Sequence, residues 1–106
     1  MRAGAYRTAI TLEQPVHTVA ADGSAALVYL DAGDDFASIR ALRQDERLTA
    51  GRLEGVVTHE IRLRHRDDLS GGRRLRAGLR LFRLQSVAAT DDRGREVTCL
   101  AEEEGT

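Results

Sequence analysis

The chain has no lysine and no tryptophan, and its 106 residues include one cysteine and one proline. With Cys99 alone, no internal disulfide is possible, so the fold does not depend on an oxidising compartment. In the run EVTCLAE this cysteine falls in a strand-like alternation, which predicts a small buried hydrophobe. No apolar run is long enough for a signal-peptide core or a membrane span. A cytoplasmic protein is therefore expected, or one that leaves the cytoplasm inside a larger assembly. Aromatics are scarce as well: Tyr6, Tyr29, Phe36 and Phe82 make up the full set. That leaves little of the stacking platform on which single-stranded nucleic acid usually binds. All positive charge is arginine, which GC-rich coding explains as readily as chemistry does.

Reaction signatures are missing too. There is no G-x-S-x-G elbow and no glycine-rich nucleotide cradle. Asp34-Asp35, Asp67-Asp68 and Asp91-Asp92 each lie beside turn formers, where adjacent carboxylates act as solvated caps more often than as an acid/base pair. His59 and His65 share a face of one expected strand, but six residues at ~3.3 Å each put them about 20 Å apart, too far to share an ion. Cys99 has no local partner for a zinc site. The reading is of no enzyme, no metal and no cofactor. A net charge of −1 gives no overall pull toward DNA or acidic membranes, so any attraction has to be local.

What is present reads as one domain over residues 1–106. RTAITLEQPV alternates as a half-buried strand with Ile10 and Leu12 on one face and Ala9, Thr11 and Glu13 on the other, ending near Pro15. HTVAADGSAA follows as a hairpin turn or a long mobile loop around Asp22-Gly23-Ser24. ALVYL is a short strand, DAGDD interrupts it, and FASIRAL resumes with Ala37, Ile39 and Ala41 on one side. RQDERLTAGRLEG is the helix candidate, two or three turns with a narrow stripe at Leu48 and Ala50 or Arg52, ended by Gly55. In VTHEIRLRHR, His59, Ile61, Leu63 and His65 face one way and Glu60, Arg62, Arg64 and Arg66 the other. In LRLFRLQSVAAT, Phe82 and Leu84 point inward and Leu79 and Leu81 outward unless a bulge intervenes. DDRG joins this run to REVTCLAEE, with Val97, Cys99 and Ala101 on one side, and residues 102–106 read as a solvated acidic tail. Five to seven antiparallel strands, one short helix and a long loop imply a mainly β protein, a small barrel or a sandwich.

The stretch from His59 to Leu84 holds eight of the sixteen arginines, and Arg62 to Arg83 carries a net charge of +6. Three readings are open: the wet face of a sheet, pairing with carboxylates of a neighbouring subunit, or contact with phosphates.

Several motifs together resemble the phage head–tail joining protein family, the head-closure or stopper proteins of long-tailed phages. MRAGAYRTAITLEQP resembles its opening strand, and FASIRAL its aromatic-Ala-x-Ile segment. THEIRLRHRDDLSGGRRL resembles its signature of a strand ending in Arg, a basic-acidic turn and an Arg-hydrophobic pair. GLRLFRLQSVAATDDRGREVTCLAEE resembles its closing hairpin. The order and spacing run over nearly the whole chain. Tyr29 and Phe36 stand where the family often has Trp, and His65 where it often has Tyr. The resemblance implies a small β-barrel, with copies forming a ring under the portal and its adaptor that closes the DNA-filled head and receives the tail. Gene transfer agents use similar rings. It implies as partners the chain's own copies, a portal or adaptor ring on the head side and a tail terminator or tail tube protein on the tail side, with packaged DNA in the channel. It implies assembly in the bacterial cytoplasm into a virion or phage-like particle.

On this reading Glu60, Arg62, Arg64, Arg66, Arg73, Arg74 and Arg76 are the candidate subunit-interface residues, since a basic stripe and acidic ends suit head-to-tail pairing. Ala20, Ala21, Asp22, Gly23, Ser24 and Ala25 are the candidate channel loop, within a segment from Val16 to Ala26 expected to be mobile. Loops at Asp31–Asp35 and Asp67–Gly72 are its rivals. A free-standing β-barrel that binds nucleic acid through Arg62–Arg83 is the alternative function.

Overall fold

The structure, a computed structural model, describes residues 6–54 and 56–104. The expected helix terminator Gly55 and the end of the expected tail, Gly105 and Thr106, lie outside the described residues. Six antiparallel strands close on themselves as a barrel in the order β1-β2-β3-β6-β5-β4. They are β1 (Thr8–Val19), β2 (Ala25–Ala41), β3 (His59–Arg64), β4 (Arg74–Ala77), β5 (Arg80–Ala89) and β6 (Glu96–Glu104), with one helix, α1 (Gln44–Glu54), between β2 and β3.

Alternation along the strands fills the barrel. Ile10, Leu12, Ile61, Leu63, Leu75, Phe82, Leu84, Val97, Cys99 and Ala101 meet in one core, with Phe82 its largest side chain. Two bulges correct the phase where strict alternation would fail. In β5 the register slips between Leu84 and Ser86, so Phe82 and Leu84 point inward and Val87 still packs on the core. In β2, Thr11 faces Asp34 while Glu13 faces Asp31, so Ala32 and Gly33 together oppose Leu12. Gly33 takes φ 121°, a conformation closed to most side chains, and Ala32 turns in against the core.

Three sequence expectations change here. DAGDD does not break the chain into two strands; it lies inside one 17-residue strand. Its crowded carboxylates are tolerated because Arg66 and Arg76 reach them. Val16–Ala26 is not a loop for most of its length. It is strand to Val19 and again from Ala25, because Val16, Thr18, Val19, Leu27 and Val28 suit a pleated surface. Only Ala20–Ser24 turn the chain, with the Asp22 carboxylate accepting from the backbone N–H and hydroxyl of Ser24. Glu102, Glu103 and Glu104 are no solvated tail; they belong to β6 and are half-buried beside arginines.

The outer half of β1–β2 therefore leaves the barrel as a projecting hairpin. β1 pairs with β4 only at Thr11–Glu13, and β2 pairs with β3 only at Ala37–Ala41. Beyond those points each strand has one open edge, which also accommodates Pro15. β2, at ~3.3 Å per residue, is long enough to run the length of the 50 × 29 × 27 Å molecule. α1 follows β2 at the other end, so hairpin and helix stand at opposite poles. The helix is held at its first turn, where Glu46 takes both terminal nitrogens of Arg40 and the backbone N–H of Arg43. The Leu48 stripe is not buried; Leu48 is 66% exposed.

Closure rests on a short seam. Between β1 and β4 three residue pairs complete the ring. At that seam the buried carboxylate of Glu13 accepts from Arg74 Nε at 2.6 Å and from Arg76 Nη1 at 2.6 Å. Glu13→Gln keeps the shape and removes the charge, so we expect a loss of about 1.5–3 kcal/mol, the usual worth of hydrogen bonds to a charged group. Glu60→Gln, on the open face of β3, is expected to cost under about 1 kcal/mol. Urea unfolding of both variants checks this; equal losses would show that the seam does not depend on Glu13.

Candidate assembly surfaces

The basic stripe of the sequence is not one surface. β3 and β4 lie three strands apart in a ring of six, on opposite sides of the barrel. Arg62 and Arg64 are outward on β3, as the alternation predicts, with Ile61 and Leu63 inside. Arg74 and Arg76 are outward on β4 across the barrel, and Arg66 and Arg73 sit in the connection between.

Six of the eight arginines pair with carboxylates of their own chain. Arg62 meets Glu60 at 3.0 Å. Arg66, largely buried, spans Asp35 at 3.2 Å and Asp68 at 2.8 Å, which pulls it out of the outward row expected for β3. Arg74 holds Glu13 and Glu104 and stacks over the Tyr29 ring, 3.8 Å from its centroid. Arg76 bridges Glu13 and Asp31, Arg80 grips Glu103, and Arg83 takes Glu102 and Glu104. The bonds from Arg40 hold the Glu46 carboxylate down to about 2, and Arg80 holds that of Glu103 below its ordinary value. Among the described residues, Arg64 and Arg73 are the two of the eight with no carboxylate in salt-bridge reach. A guanidinium engaged by its own chain has less to offer a phosphate, so the pairing weakens the nucleic-acid reading.

The partners Glu13, Asp31 and Glu102–Glu104 were not singled out by the sequence, because only the strand register brings them to the arginines. The outward facing of Phe36 is a further feature that the alternation carries. With Ala37 and Ile39 inward, Phe36 has to face out, and it is 57% exposed. The candidate channel residues Ala20–Ala25 form the hairpin tip, and Val19, Leu27, Val28 and Leu30 behind them are exposed aliphatic side chains.

No group of three or more metal-binding side chains occurs among the described residues. His65 is exposed and 3.6 Å from Asp67, while His59 is buried at the far end of β3. Cys99 is fully buried, and burial pushes its thiol up to about 12, so it packs as a hydrophobe.

His59 packs edge-on against Phe82, ring centroids 5.0 Å apart. Its Nε2 lies 3.3 Å from Arg80 Nη2 and its Nδ1 2.8 Å from the Thr58 hydroxyl. A guanidinium only donates, so Nε2 accepts and Nδ1 carries the proton, a tautomer assigned from the network. Burial, and then the charges of Arg80 and Arg47, hold the ring below its ordinary value against the opposing pull of Glu103. Below about pH 6.5 the unfolded chain takes up a proton that the folded ring refuses, so stability is full above that pH and falls as pH drops toward the folded value. We expect His59→Gln to remove part of the loss of stability that sets in as pH falls below about 6.5. Urea titrations of both proteins over that range test this; identical slopes would assign the pH dependence to other groups.

Comparison with known proteins places this geometry. The solution structure of protein SF1141 from Shigella flexneri 2a aligns with a TM-score of 0.77 over 99% of this chain and 98% of that one, at 20% identity, and so shares the fold. A chain from the virion of a native gene transfer agent particle aligns with a TM-score of 0.70 at 27% identity, over 95% of this chain and 97% of that one. No curated protein matches the chain. Residues 1–104 match the family described as phage head completion protein. The family match over nearly all its length identifies the chain as a member of the phage head completion protein family, structural and non-enzymatic proteins of the virion.

Proposed function

We propose that the chain is a ring-forming head-closure subunit, a stopper that joins the portal–adaptor complex of the DNA-filled head to the tail. The family match over residues 1–104 carries this reading, and the likeness to a gene transfer agent virion chain supports it. Its partners are then further copies of itself, the portal or adaptor ring on the head side and the tail terminator or tail tube protein on the tail side, with packaged DNA in the channel. Of the candidate interface residues Glu60, Arg62, Arg64, Arg66, Arg73, Arg74 and Arg76, we give the leading role to Arg64. It is exposed and makes no ion pair among the described residues.

We assign the hairpin to the channel. From Gln14 to Leu30 its one formal charge is Asp22, and its aliphatic side chains are open to water. A two-stranded ribbon is marginal alone, and open apolar edges call for a partner. In a ring, each hairpin's open β2 edge meets the open β1 edge of the next. The rival segments are tied down: Asp31 and Asp35 by Arg76 and Arg66, and Asp67–Gly72 by Asp68 on Arg66 and Leu69 on the core.

Particles assembled without this chain are expected to fill with DNA, lose it and carry no tails. Tailed particles that keep their DNA would overturn the reading. For the hairpin, Val16–Val28 can be replaced by an Asn-Gly turn that closes Pro15 on Tyr29, a pair already in register. The shortened protein is expected to fold and join particles that leak DNA. Particles that hold and deliver their genome normally would remove the hairpin from the channel.

A further inference from the structure

Along the barrel wall most large outward side chains are charged, and most of those are paired. Phe36 on β2 and Leu79 in the β4–β5 turn are exposed apolar side chains, and Phe36 is the aromatic one. It stands between two hollows, one of about 210 Å³ lined with Tyr6, Asp35 and Arg64, the other of about 500 Å³ that includes Ala9 and Gly78. Arg64 is its neighbour on β3, one step beyond the Ala37–Leu63 pair. The carboxylate across from Arg64 on β6 is Glu96, and it accepts the Tyr6 hydroxyl instead. An exposed aromatic beside an arginine without a salt bridge has the make-up of an interface hot spot. Its complement is an apolar side chain with a carboxylate outside any salt bridge about one step away.

The same chain carries that complement at its far pole. Leu48 is exposed on α1, and Asp45, one turn earlier, is exposed, accepts the Glu46 backbone N–H and makes no salt bridge among the described residues. Residues three apart on a helix stand ~5–6 Å apart at Cβ, and facing residues on adjacent strands about 4.5–5.5 Å, so the two pairs match in spacing as well as in charge. The hairpin's one carboxylate, Asp22, is held more firmly, by both the backbone N–H and the hydroxyl of Ser24, and Asp45 by one backbone N–H.

We propose that the Phe36–Arg64 patch receives α1 of a neighbouring copy, with Leu48 on the Phe36 ring and Asp45 on the Arg64 guanidinium. Two different patches of one chain then meet head to tail, a contact that repeats around an axis and closes as a ring. The proposal rests on the ring reading above and names the contact that builds the ring.

Two exposed sites permit a direct test in assembled particles. Phe36→Cys with Leu48→Cys, oxidised in place, is expected to give a ladder of disulfide-linked multimers, while each single variant stays monomeric. Cys99, fully buried with its thiol pushed up to about 12, does not interfere. Arg64→Glu alone and Asp45→Arg alone are each expected to lower incorporation at least tenfold, and the two together to restore it, with circular dichroism confirming that every variant folds. Rings of copies visible by electron microscopy without cross-links or charge-swap rescue would overturn this contact and leave the ring reading standing. Particles holding a single copy would overturn both.

Discussion

Everything outside the core depends on how the barrel closes. Five of the six strand junctions are ladders of four or more pairs, while β1 and β4 share three. A seam that short contributes little backbone pairing, and a six-stranded sheet that failed to close would expose β1 and β4 as edges. Glu13 acts at that point. The bulge at Ala32–Gly33 shifts the phase of β2 against β1, so Leu12 fills the core while Glu13 lies under Arg74 and Arg76. Arg76 reaches on to Asp31 and Arg74 to Glu104 and the Tyr29 ring, so one buried carboxylate ties together β1, β2, β4 and β6. The same ties fix the root from which the hairpin leaves the barrel.

Arginine suits this work. A lysine at position 76 would place one compact charge between Glu13 and Asp31, whereas the guanidinium fork addresses both. A similar fork at Arg66 spans Asp35 and Asp68 and lies near Gly33, where an added Cβ would sit 3.2 Å from Nη2. The bulge glycine is thus favoured by its φ, and an added Cβ would also press on the arginine beside it.

Much of this fold is legible in the sequence, because period-two alternation encodes facing directly. Ile61 and Leu63, Val97 and Cys99, and Phe82 and Leu84 all face as their spacing indicates. Register is not encoded that way. DAGDD reads as a break when its carboxylates are counted alone, and as strand once arginines some 30 and 45 residues further on are brought beside it. Residues 102–104 read as a tail for the same reason. A hairpin turn at Asp22-Gly23-Ser24 is one of the two readings the sequence allows, and the length of its strands is obscured by small residues and Pro15, which are turn-like in isolation and compatible with an edge strand. The basic stripe is the clearest case. Contiguous in sequence, it is divided by the ring order between opposite walls of the barrel, and no composition count reveals that division.

The pairing within the chain also bears on what a partner can use. An arginine that leaves Glu103 or Glu13 for a neighbour's carboxylate trades one ion pair for another and must be desolvated again, so the exchange gains little. Groups with no internal partner carry no such debt. Among the described residues they include Arg64 and Arg73, the Phe36 ring, the open edges and aliphatic side chains of the hairpin, and Leu48 on α1, beside which Asp45 makes no salt bridge. The lattice of ion pairs therefore does more than hold the barrel closed. By satisfying most of the charge internally it leaves a short set of surfaces on which association gains free energy, and these lie on the wall and at both poles of the molecule. On the ring reading proposed above, a subunit that contacts neighbours around a ring and different proteins above and below it needs its surfaces divided in this way.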